Sequence, residues 1–271
     1  MEDASRPISV HLDRVSKSFP RGRGRLDVLC DIDMEVPAGR FVTILGPSGS
    51  GKSTLLGILA GLDEPDSGII NLWREGATGT VEHRLGRVGY MPQRDLLLPW
   101  RTALDNATVG LEVQGVPQQE ARARAIPLFA EFGLEGFAEN YPNELSGGMR
   151  QRVSFLRSAL VAHGLMLLDE PFGALDALTR AAMQEWLLQS VVRLNTTFVL
   201  VTHDVDEAVL LSDRVYVLSP RPGKLVGMEE IELPRPRSLD SASDERFAAY
   251  RHRLLEMLRE TGGLAAAGEA R

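Results

Sequence analysis

The chain lacks several features that would place it across a membrane, around a metal cluster or in an oxidising compartment. Cys30 is its one cysteine in 271 residues, which excludes an internal disulfide and a cysteine-based metal cluster and fits a reducing compartment. No run comes near the roughly 18 consecutive apolar residues that a membrane-spanning helix needs. The N-terminal MEDASRPISV has no basic region followed by a long apolar run, so it does not predict a secretory signal. If the protein works at a membrane, we expect another subunit to cross it.

Positive charge is also in short supply. The 30 Lys and Arg residues are outnumbered by 37 Asp and Glu residues, which gives a formal net charge of −7. This balance argues against a protein that coats nucleic acid or an anionic membrane, and we expect no nucleic-acid partner. With 44% apolar residues the chain can form a full core, and its length favours one domain with an inserted lobe.

Four short apolar stretches predict strands. They are residues 8–15, FVTILG (41–46), LMLLDE (165–170) and FVLVTHD (198–204). The last two are continuous apolar runs closed by polar residues, which suits strands buried on both faces of a parallel sheet that helices cover. Periodicity alone also fits a buried helix, but the short length and the polar closing residues favour strand.

Helical patterns occupy two other regions. Between Gln93 and Leu145 the sequence becomes largely helical, and Pro127 should kink or interrupt a helix over 117–132, because proline lacks an N–H and clashes with the preceding turn. Near the C-terminus, Ser243 predicts an N-cap followed by two acidic residues. One face of the helix that follows carries Phe247, Tyr250, Leu254 and Leu258. We expect this helix to dock on the domain rather than to bind a partner, and the final GGLAAAGEAR to be a loose tail.

The segment GPSGSGKST fits the phosphate-binding loop pattern G-x-x-x-x-G-K-[ST], between a predicted strand and the apolar run TLLGILAG. Glycines let backbone N–H groups surround phosphate oxygens, and the helix N-terminus adds positive potential. Lys52 then supplies a charge for the β- and γ-phosphates, and the Ser53 hydroxyl can coordinate Mg²⁺. The alternative is a glycine-rich turn with a surface lysine, yet a chance match is on the order of one in a hundred. The candidate phosphate contacts are Gly46, Pro47, Ser48, Gly49, Ser50, Gly51, Lys52, Ser53 and Thr54.

The stretch LMLLDEP supplies two acids for such a site. A buried strand delivers Asp169 and Glu170 to the carboxyl edge of the sheet, where ligands bind in open α/β folds. Asp169 is predicted to hold Mg²⁺ through its water shell, and Glu170 to orient or deprotonate the attacking water. The alternative is that both acids merely begin a loop. The presence of a phosphate-binding loop in the same sequence makes the metal and water-binding roles the favoured interpretation.

Two further polar residues follow strand-like patches. His203 ends the strand predicted to neighbour the one that carries Glu170, which favours a contact with the γ-phosphate over a structural histidine. Gln93 follows the patch GRVGYM. A glutamine after a proline is weak evidence of a functional role, so this position alone favours the interpretation of Gln93 as an ordinary loop residue.

The motif LSGGMRQR, residues 145–152, predicts the start of a helix. Ser146 is in the N-cap position. Apolar residues follow at helical spacing, at Met149, Val153, Leu156 and Leu160. The N-terminus of a helix can bind an anion, because its first backbone N–H groups have no partner within the helix. Because the phosphate loop already surrounds one side of a nucleotide, this second site is best explained if it caps a nucleotide held by another copy.

Taken together, these motifs resemble the ATP-binding cassette (ABC) proteins. The phosphate loop, Gln93, LSGGMRQR, LLDEP, the ALD of residues 174–176 and His203 occur in the order of that family. The resemblance implies an α/β fold: a P-loop NTPase (RecA-like) core with a mainly parallel sheet, an antiparallel β subdomain and an inserted α-helical subdomain. It implies an ABC ATPase domain at 6–235, a helical subdomain at about 94–160, and a C-terminal helical extension and tail at 236–271.

The resemblance also implies an arrangement of two cassettes. In the family they face head to tail, so Ser146, Gly147 and Gly148 would contact ATP in trans. Asp176 would lie at the dimer seam and link the two sites. ATP binding would close the dimer and hydrolysis would open it.

Within one cassette, the resemblance assigns roles to single residues. Phe19 would stack on adenine. Gln93 would touch Mg²⁺ and the attacking water while sensing a membrane partner, alongside the metal contacts of Ser53 and Asp169. Glu170 would be the catalytic carboxylate. Catalysis of this kind is mostly positioning and charge neutralisation.

Two stretches resemble the importer branch for nitrate, sulfonate, taurine and related small solutes, namely DLLLPWRTALDN (95–106) and LSPRPGKLVGMEEIELPRPR (218–237). YMPQRDLLLPW and RVSFLRSAL resemble cassettes for a thiamine-precursor pyrimidine. The resemblance implies a transmembrane permease and a solute-binding protein as partners, a cassette homodimer, and a peripheral position on the cytoplasmic face of the cell membrane. The apolar stretch beside Gln93 has two interpretations, which can both hold for different side chains. In one, residues 96–98 pack the join between core and helical lobe. In the other, which the resemblance implies, this region receives the permease, and Trp100 and Arg101 would contact it.

Rival functions fit less well. A soluble ABC-type ATPase acting on nucleic acid or ribosomes would carry a long coiled-coil insert or a second cassette, and this sequence contains neither. A P-loop small-molecule kinase would have no use for LSGGMRQR. A nonhydrolytic structural switch is disfavoured because Glu170 and His203 are both present.

Overall fold

The computed structural model describes residues 6–22, 24–74 and 84–262. The strands are β1 (Ile8–Arg21), β2 (Gly24–Val36), β3 (Phe41–Leu45), β4 (Ser67–Arg74), β5 (Gly89–Met91), β6 (Leu165–Asp169), β7 (Thr197–Thr202), β8 (Arg214–Leu218) and β9 (Leu225–Glu230). The α-helices are α1 (Lys52–Leu59), α2 (Ala103–Val113), α3 (Gln118–Glu131), α4 (Gly147–Val161), α5 (Ala177–Arg193), α6 (Val205–Leu211) and α7 (Glu245–Glu260). Short 3₁₀ helices lie at Pro142–Glu144 and Leu239–Ser243.

The strands form two sheets. The larger has the order β5-β6-β7-β3-β8-β9 and is parallel except for β9, which pairs antiparallel with β8. The smaller has the order β2-β1-β4 and is antiparallel. The predicted α/β fold, with a mainly parallel core sheet and an antiparallel β part, is confirmed. The stretch predicted as a strand at 8–15 belongs to the smaller sheet and continues to Arg21.

The central strands separate two apolar cores. Every residue of β3, β6 and β7 is buried, which explains why these segments are apolar without alternation. Phe41 and Phe198 stack on one face, with ring centroids 5.3 Å apart, in the core that also contains α4 and α5. Val42 and Ile44 face the other core, which contains α1 and the smaller sheet. Alternate residues of one strand therefore hold two layers together.

The inserted region is helical, as predicted. It consists of α2, α3 and α4, with α2 packed against both others. The predicted interruption at Pro127 is wrong, because α3 continues through it. Ala121, Ala125 and Phe129 are buried at helical spacing and hold the helix on the domain. Pro127 is exposed, so the carbonyl that loses its partner four residues earlier can be hydrated.

The C-terminal helix docks on the domain. Phe247, Leu254 and Leu258 are buried and Tyr250 packs beside them, so the predicted apolar face is confirmed. The predicted N-cap at Ser243 is wrong by one residue. Asp244 is the N-cap, and its carboxylate accepts the N–H of Arg246, while Ser243 ends the preceding 3₁₀ helix. Both residue types cap well, so sequence alone could not separate them.

The connection to α7 is anchored by a buried charge. The guanidinium of Arg237 donates to backbone carbonyls of Val209, Leu210, Ser212, Ile231 and Leu233. Burial lowers the pKa of Arg237 to about 10.

The predicted tail beyond Gly262 lies outside the described residues. Among the helices that the structure describes, none is long and apolar enough to cross a membrane.

Candidate nucleotide site

The strand register brings the predicted site residues to one edge of the larger sheet. Leu45 at the end of β3 pairs with Thr202 at the end of β7, and Asp169 at the end of β6 pairs with Val201. The segments that follow these three strands therefore leave the sheet at the same level. They are the phosphate loop, the segment that begins at Glu170, and the segment that begins at His203.

The phosphate loop joins β3 to α1 and needs glycine at its turns. Gly49 and Gly51 have φ of 77° and 107°, in the left-handed region that favours glycine. A Cβ on Gly51 would also lie 2.9 Å from Leu29 Cδ2 and 3.0 Å from the Val28 carbonyl oxygen. The backbone of the loop is thus held against β2 at a distance that a larger residue would not allow.

Lys52 lies inside this loop, with 4% of its surface exposed. Its Nζ donates to the carbonyl oxygens of Gly46 and Pro47, at 2.9 Å each, and lies 3.7 Å from Glu170 Oε1. Burial lowers the pKa of Lys52, and the charge of Glu170 acts in the opposite direction. A buried ammonium with carbonyl partners and one carboxylate nearby is suited to an anionic ligand that brings more negative charge.

The phosphate loop also contains a buried polar group without a hydrogen-bond partner, which a polyphosphate could satisfy. The Ser50 hydroxyl is buried and, among the described residues, has no hydrogen-bond partner. A buried hydroxyl without a partner is costly unless a ligand or water satisfies it. Together with Lys52, it gives the loop donors for phosphate oxygens.

Ser53 and Asp169, two of the three predicted metal contacts, meet directly. Ser53 Oγ donates to Asp169 Oδ1 at 3.0 Å. The Tyr90 hydroxyl donates to Asp169 Oδ2 at 3.2 Å, a contact that the sequence did not predict. Burial raises the pKa of Asp169, which the two hydrogen bonds counteract. A hydroxyl beside a carboxylate is an oxygen donor pair of the kind that Mg²⁺ prefers.

Glu170 is the residue on which the other predicted catalytic groups converge. Its Oε2 lies 3.3 Å from His203 Nδ1 and accepts Gln93 Nε2 at 3.2 Å, while its other oxygen faces Lys52. Its backbone has φ of 42°, unusual for a residue with a side chain. The Glu170 N–H donates to the Val201 carbonyl at 3.0 Å, which holds this conformation against β7. Strain at a carboxylate that gathers three polar groups is typical of a functional residue.

The helix-capping motif lies apart from this cluster. Ser146 is the N-cap of α4 and accepts the N–H of Met149 at 3.2 Å, as predicted. A Cβ on Gly148 would lie 2.8 Å from Thr179 Cγ2, so the start of α4 is packed against the start of α5. Within the part of the chain that the structure describes, no hydrogen bond joins Ser146, Gly147 or Gly148 to the phosphate loop.

Asp176 and Phe19 lie at two other places. Asp176 is the N-cap of α5, and its carboxylate accepts the N–H groups of Leu178 and Thr179 at 3.1 Å. Phe19 lies near the end of β1 and is 37% exposed. The Lys17 ammonium lies 5.1 Å from the centroid of its ring. An exposed aromatic face beside a cation remains available for stacking.

Sequence reasoning missed a buried carboxylate behind His203. Glu207, on α6, accepts hydrogen bonds from Thr202 Oγ1 at 2.6 Å and from Gln184 Nε2 at 3.1 Å. Burial raises the pKa of Glu207 to about 7. Glu207 thus connects β7, just before His203, to α5. The available signal in the sequence was that Glu207 directly precedes the apolar run AVLL, residues 208–211.

Comparison with known proteins agrees with this geometry. Residues 29–173 match the family model described as ABC transporter. The formylaminopyrimidine import ATP-binding protein of Halalkalibacterium halodurans is 44% identical, with 81% of this chain and 83% of that protein covered. An aliphatic sulfonates import ATP-binding protein of Rhodococcus jostii is 45% identical, with 85% of this chain and 87% of that protein covered.

The fold is also similar to that of a solved structure. It is the dimeric post-hydrolysis state of an ATP-binding cassette bound to ADP and phosphate, with a TM-score of 0.70 and 30% identity. The match covers 83% of this chain and all of that one. The motifs, the phosphate loop facing Glu170 and these similarities lead to one conclusion: the chain belongs to the ABC transporter family, as an ATP-binding cassette that hydrolyses ATP.

Proposed function

We propose that this chain is the peripheral ATPase subunit of an importer, placed on the cytoplasmic face of the cell membrane and coupled to a separate transmembrane permease. The observation that supports ATP hydrolysis is the position of Glu170, whose carboxylate faces Lys52, Gln93 and His203. A γ-phosphate held by Lys52 would lie next to the group that orients the attacking water.

We assign the binding of ATP to the phosphate loop. Its backbone N–H groups between Ser48 and Thr54 would surround the β- and γ-phosphates, and Lys52 would exchange the carbonyls of Gly46 and Pro47 for phosphate oxygens. The Ser50 hydroxyl would gain a partner. Phe19 would stack on adenine through its exposed ring.

We assign ATP hydrolysis to the polar side chains that lie together at the edge of the larger sheet. Ser53 and Asp169 would hold Mg²⁺, with Gln93 as a further contact, and the ion would neutralise developing phosphate charge. Glu170 orients the water and accepts its proton, while Gln93 and His203 hold the Glu170 carboxylate. His203 Nδ1 is turned toward Glu170, so its Nε2 is the nitrogen left to contact the γ-phosphate.

A second copy completes the site in this proposal. Ser146 caps the N-terminus of α4, which begins with Gly147 and Gly148. Among the described residues, no hydrogen bond joins these three to the phosphate loop of the same chain. A homodimer in which each α4 covers the ATP of the other copy would use them. Asp176 would lie at the seam, beside α4 through the contact of α5 with Gly148.

The permease would contact the surface near Gln93. Trp100 is 72% exposed, and Leu96 is exposed with a left-handed backbone at φ of 46°. Arg101 is less available, because its guanidinium binds both carboxylate oxygens of Glu112 at 2.9 and 3.0 Å. Trp100 is therefore the stronger of the two predicted contacts.

We further propose the solute class and the domain limits. The solute would be nitrate, a sulfonate such as taurine, or a thiamine-precursor pyrimidine, delivered by a solute-binding protein. The ATPase domain would span 6–235, with the helical subdomain at about 94–160. The extension at 236–271 would be held to it by Arg237 and α7.

Reconstitution with the permease tests this function. A permease that co-purifies with this chain is reconstituted with it in liposomes, and ATPase activity and solute uptake are measured with each candidate solute and its binding protein. We expect one solute class to stimulate both, and Glu170→Gln to abolish both. The matched control is Glu185→Gln, which removes an exposed acid on α5. ATP turnover without uptake of any of these solutes would contradict the importer assignment.

A further inference from the structure

The turn between β8 and β9, residues 219–224, packs along the outside of the phosphate loop. At its start, a Cβ on Gly46 would lie 2.8 Å from the Leu218 carbonyl oxygen. At its end, a Cβ on Gly223 would lie 2.4 Å from the Ser50 carbonyl oxygen. Two segments about 170 residues apart in sequence thus approach each other as closely as backbone permits.

This turn is itself fixed to β2. The Gly223 N–H donates to the Val28 carbonyl at 2.9 Å, and the Cys30 N–H donates to the Gly223 carbonyl at 3.0 Å. Within the turn, the Ser219 N–H donates to the Lys224 carbonyl, and the Lys224 N–H donates to Ser219 Oγ. The turn is therefore closed by its own hydrogen bonds and fixed to β2 at Gly223.

From this turn, Arg221 reaches the tip of the phosphate loop. Its Nε and Nη2 donate to the Gly49 carbonyl oxygen at 3.1 and 2.8 Å. Gly49 is exposed and has a φ of 77°. On the other side of its peptide the Ser50 N–H donates to the Pro47 carbonyl at 3.3 Å, so Arg221 is the second anchor of that peptide. Lys52 binds the carbonyls of Gly46 and Pro47 but not this one. Among the described residues, Arg221 is the side chain that holds the Gly49 carbonyl.

We propose that Arg221 is a positioning residue for ATP binding, which fixes the Gly49–Ser50 peptide so that the loop is preformed for phosphate. A peptide plane has its C=O and N–H on opposite sides, so holding the Gly49 oxygen also fixes the direction of the Ser50 N–H. The guanidinium charge lies beside the same tip and favours an anionic ligand there. Preforming a binding loop lowers the entropic cost of binding. This inference rests on the proposed nucleotide site.

The test is equilibrium binding of ATP and ADP by titration calorimetry, with steady-state ATPase kinetics, for wild type and for Arg221→Ala, Arg221→Lys and Arg221→Gln. We expect Arg221→Ala to raise Kd and KM for ATP about tenfold, with kcat at saturating ATP within about twofold, because a preformed loop acts on ground state and transition state alike. Arg221→Lys keeps the charge and Arg221→Gln keeps an N–H, so each should restore part of the affinity.

Lys224→Ala is the matched control. It removes a positive charge from the same turn, and its exposed side chain makes no contact with the phosphate loop among the described residues. Its Kd should stay within about twofold of wild type. Thermal unfolding shows whether each variant is folded, and if Arg221→Ala is not, the Lys and Gln variants give the comparison.

Two results would overturn the inference, and they differ from failure of the site. Equal Kd values for Arg221→Ala and Lys224→Ala would show that the hydrogen bonds to Gly49 do not matter. Loss of kcat at unchanged Kd would make Arg221 act in the chemical step instead. If wild type itself binds no ATP, the proposed nucleotide site is wrong and the inference falls with it.

Discussion

Glu170 Oε2 lies 3.3 Å from His203 Nδ1, across the ends of two neighbouring parallel strands. β6 ends one residue before Glu170 and β7 one residue before His203, so the contact is set by strand register. The phosphate loop leaves β3 on the other side of β7 and brings Lys52 to the same carboxylate. One sheet edge thus positions a carboxylate between a cation and an imidazole.

Removing the charge of Glu170 tests its role in the chemical step. We expect Glu170→Gln to lower kcat at least about 100-fold, because it removes the group that accepts the proton of the water. ATP affinity should change by less than about threefold, since Lys52 and the loop still bind phosphate. Steady-state ATPase assays and nucleotide titrations measure both. Glu185→Gln, an exposed acid on α5, is the control, and a Glu170→Gln protein with near-normal turnover would disprove the assignment.

Ser146→Ala separates a stability effect from an assembly effect. Loss of the N-cap bond to Met149 should reduce the free energy of unfolding by about 1 kcal/mol. Asp244→Ala removes the N-cap of α7 and should cost a similar amount. If Ser146 binds ATP in trans, it alone should weaken ATP-driven dimerisation, while ATP binding to the monomer stays unchanged. Denaturant unfolding tests the stability effect. Light scattering with ATP, with each substitution placed in the Glu170→Gln background, tests the assembly effect, and equal dimerisation of the two double variants would argue against the trans contact.

Glu207 gives a pH dependence whose sign can be stated. Its pKa is raised to about 7 from an ordinary 4.5, chiefly by burial, with Asp204 adding to the increase and Arg180 opposing it. The folded protein therefore binds this proton more tightly than the unfolded chain. The associated stability is fully present below pH 4.5 and is lost as pH rises through about 7.

Glu207→Gln, which is neutral throughout, should remove this loss. The free energy of unfolding, measured by urea titration between pH 5 and 8, should fall less steeply with pH than in wild type, by about 1–2 kcal/mol over the range. Glu185→Gln controls for the loss of a surface carboxylate. Parallel pH profiles for wild type and Glu207→Gln would show that the carboxyl does not titrate in this window.

Two glycines should respond to alanine in opposite directions. A Cβ on Gly89 would lie 2.5 Å from Met166 Sδ and 2.6 Å from the Ser158 carbonyl oxygen, so Gly89→Ala forces β5 away from α4 and β6. We expect it to reduce the free energy of unfolding by about 1–3 kcal/mol. Gly57 lies within α1 with nothing near its missing Cβ, so Gly57→Ala should raise that free energy by about 0.5–1 kcal/mol. Denaturant unfolding of both variants tests the pair, and a destabilised Gly57→Ala would count against the packing around α1.

Local features were predictable from the sequence because their physics is local. The N-cap at Ser146, the helix after Lys52 and the strands before Asp169 and His203 each depend on residues within one turn or one strand. The predicted interruption at Pro127 is wrong because its penalty depends on where the freed carbonyl lies, and that carbonyl is on the exposed side of α3. Whether a proline breaks a helix is decided by packing that the sequence does not display.

Contacts across elements could not be predicted in the same way. Tyr90 reaches Asp169 only because β5 pairs with β6 in a register that places Tyr90 opposite Leu167. Arg221 reaches Gly49 only because β8 lies beside β3. These groups carry no motif of their own, and the topology of the sheet determines their positions.

In the proposed mechanism, ATP joins two copies of this chain through the N-terminus of α4, and Glu170 then hydrolyses it. The most direct measurement is the molar mass of wild type and Glu170→Gln by light scattering, with and without ATP and Mg²⁺. We expect a stable dimer only for Glu170→Gln with ATP, because wild type hydrolyses the ligand that holds the dimer. A Glu170→Gln protein that binds ATP and remains monomeric would contradict it.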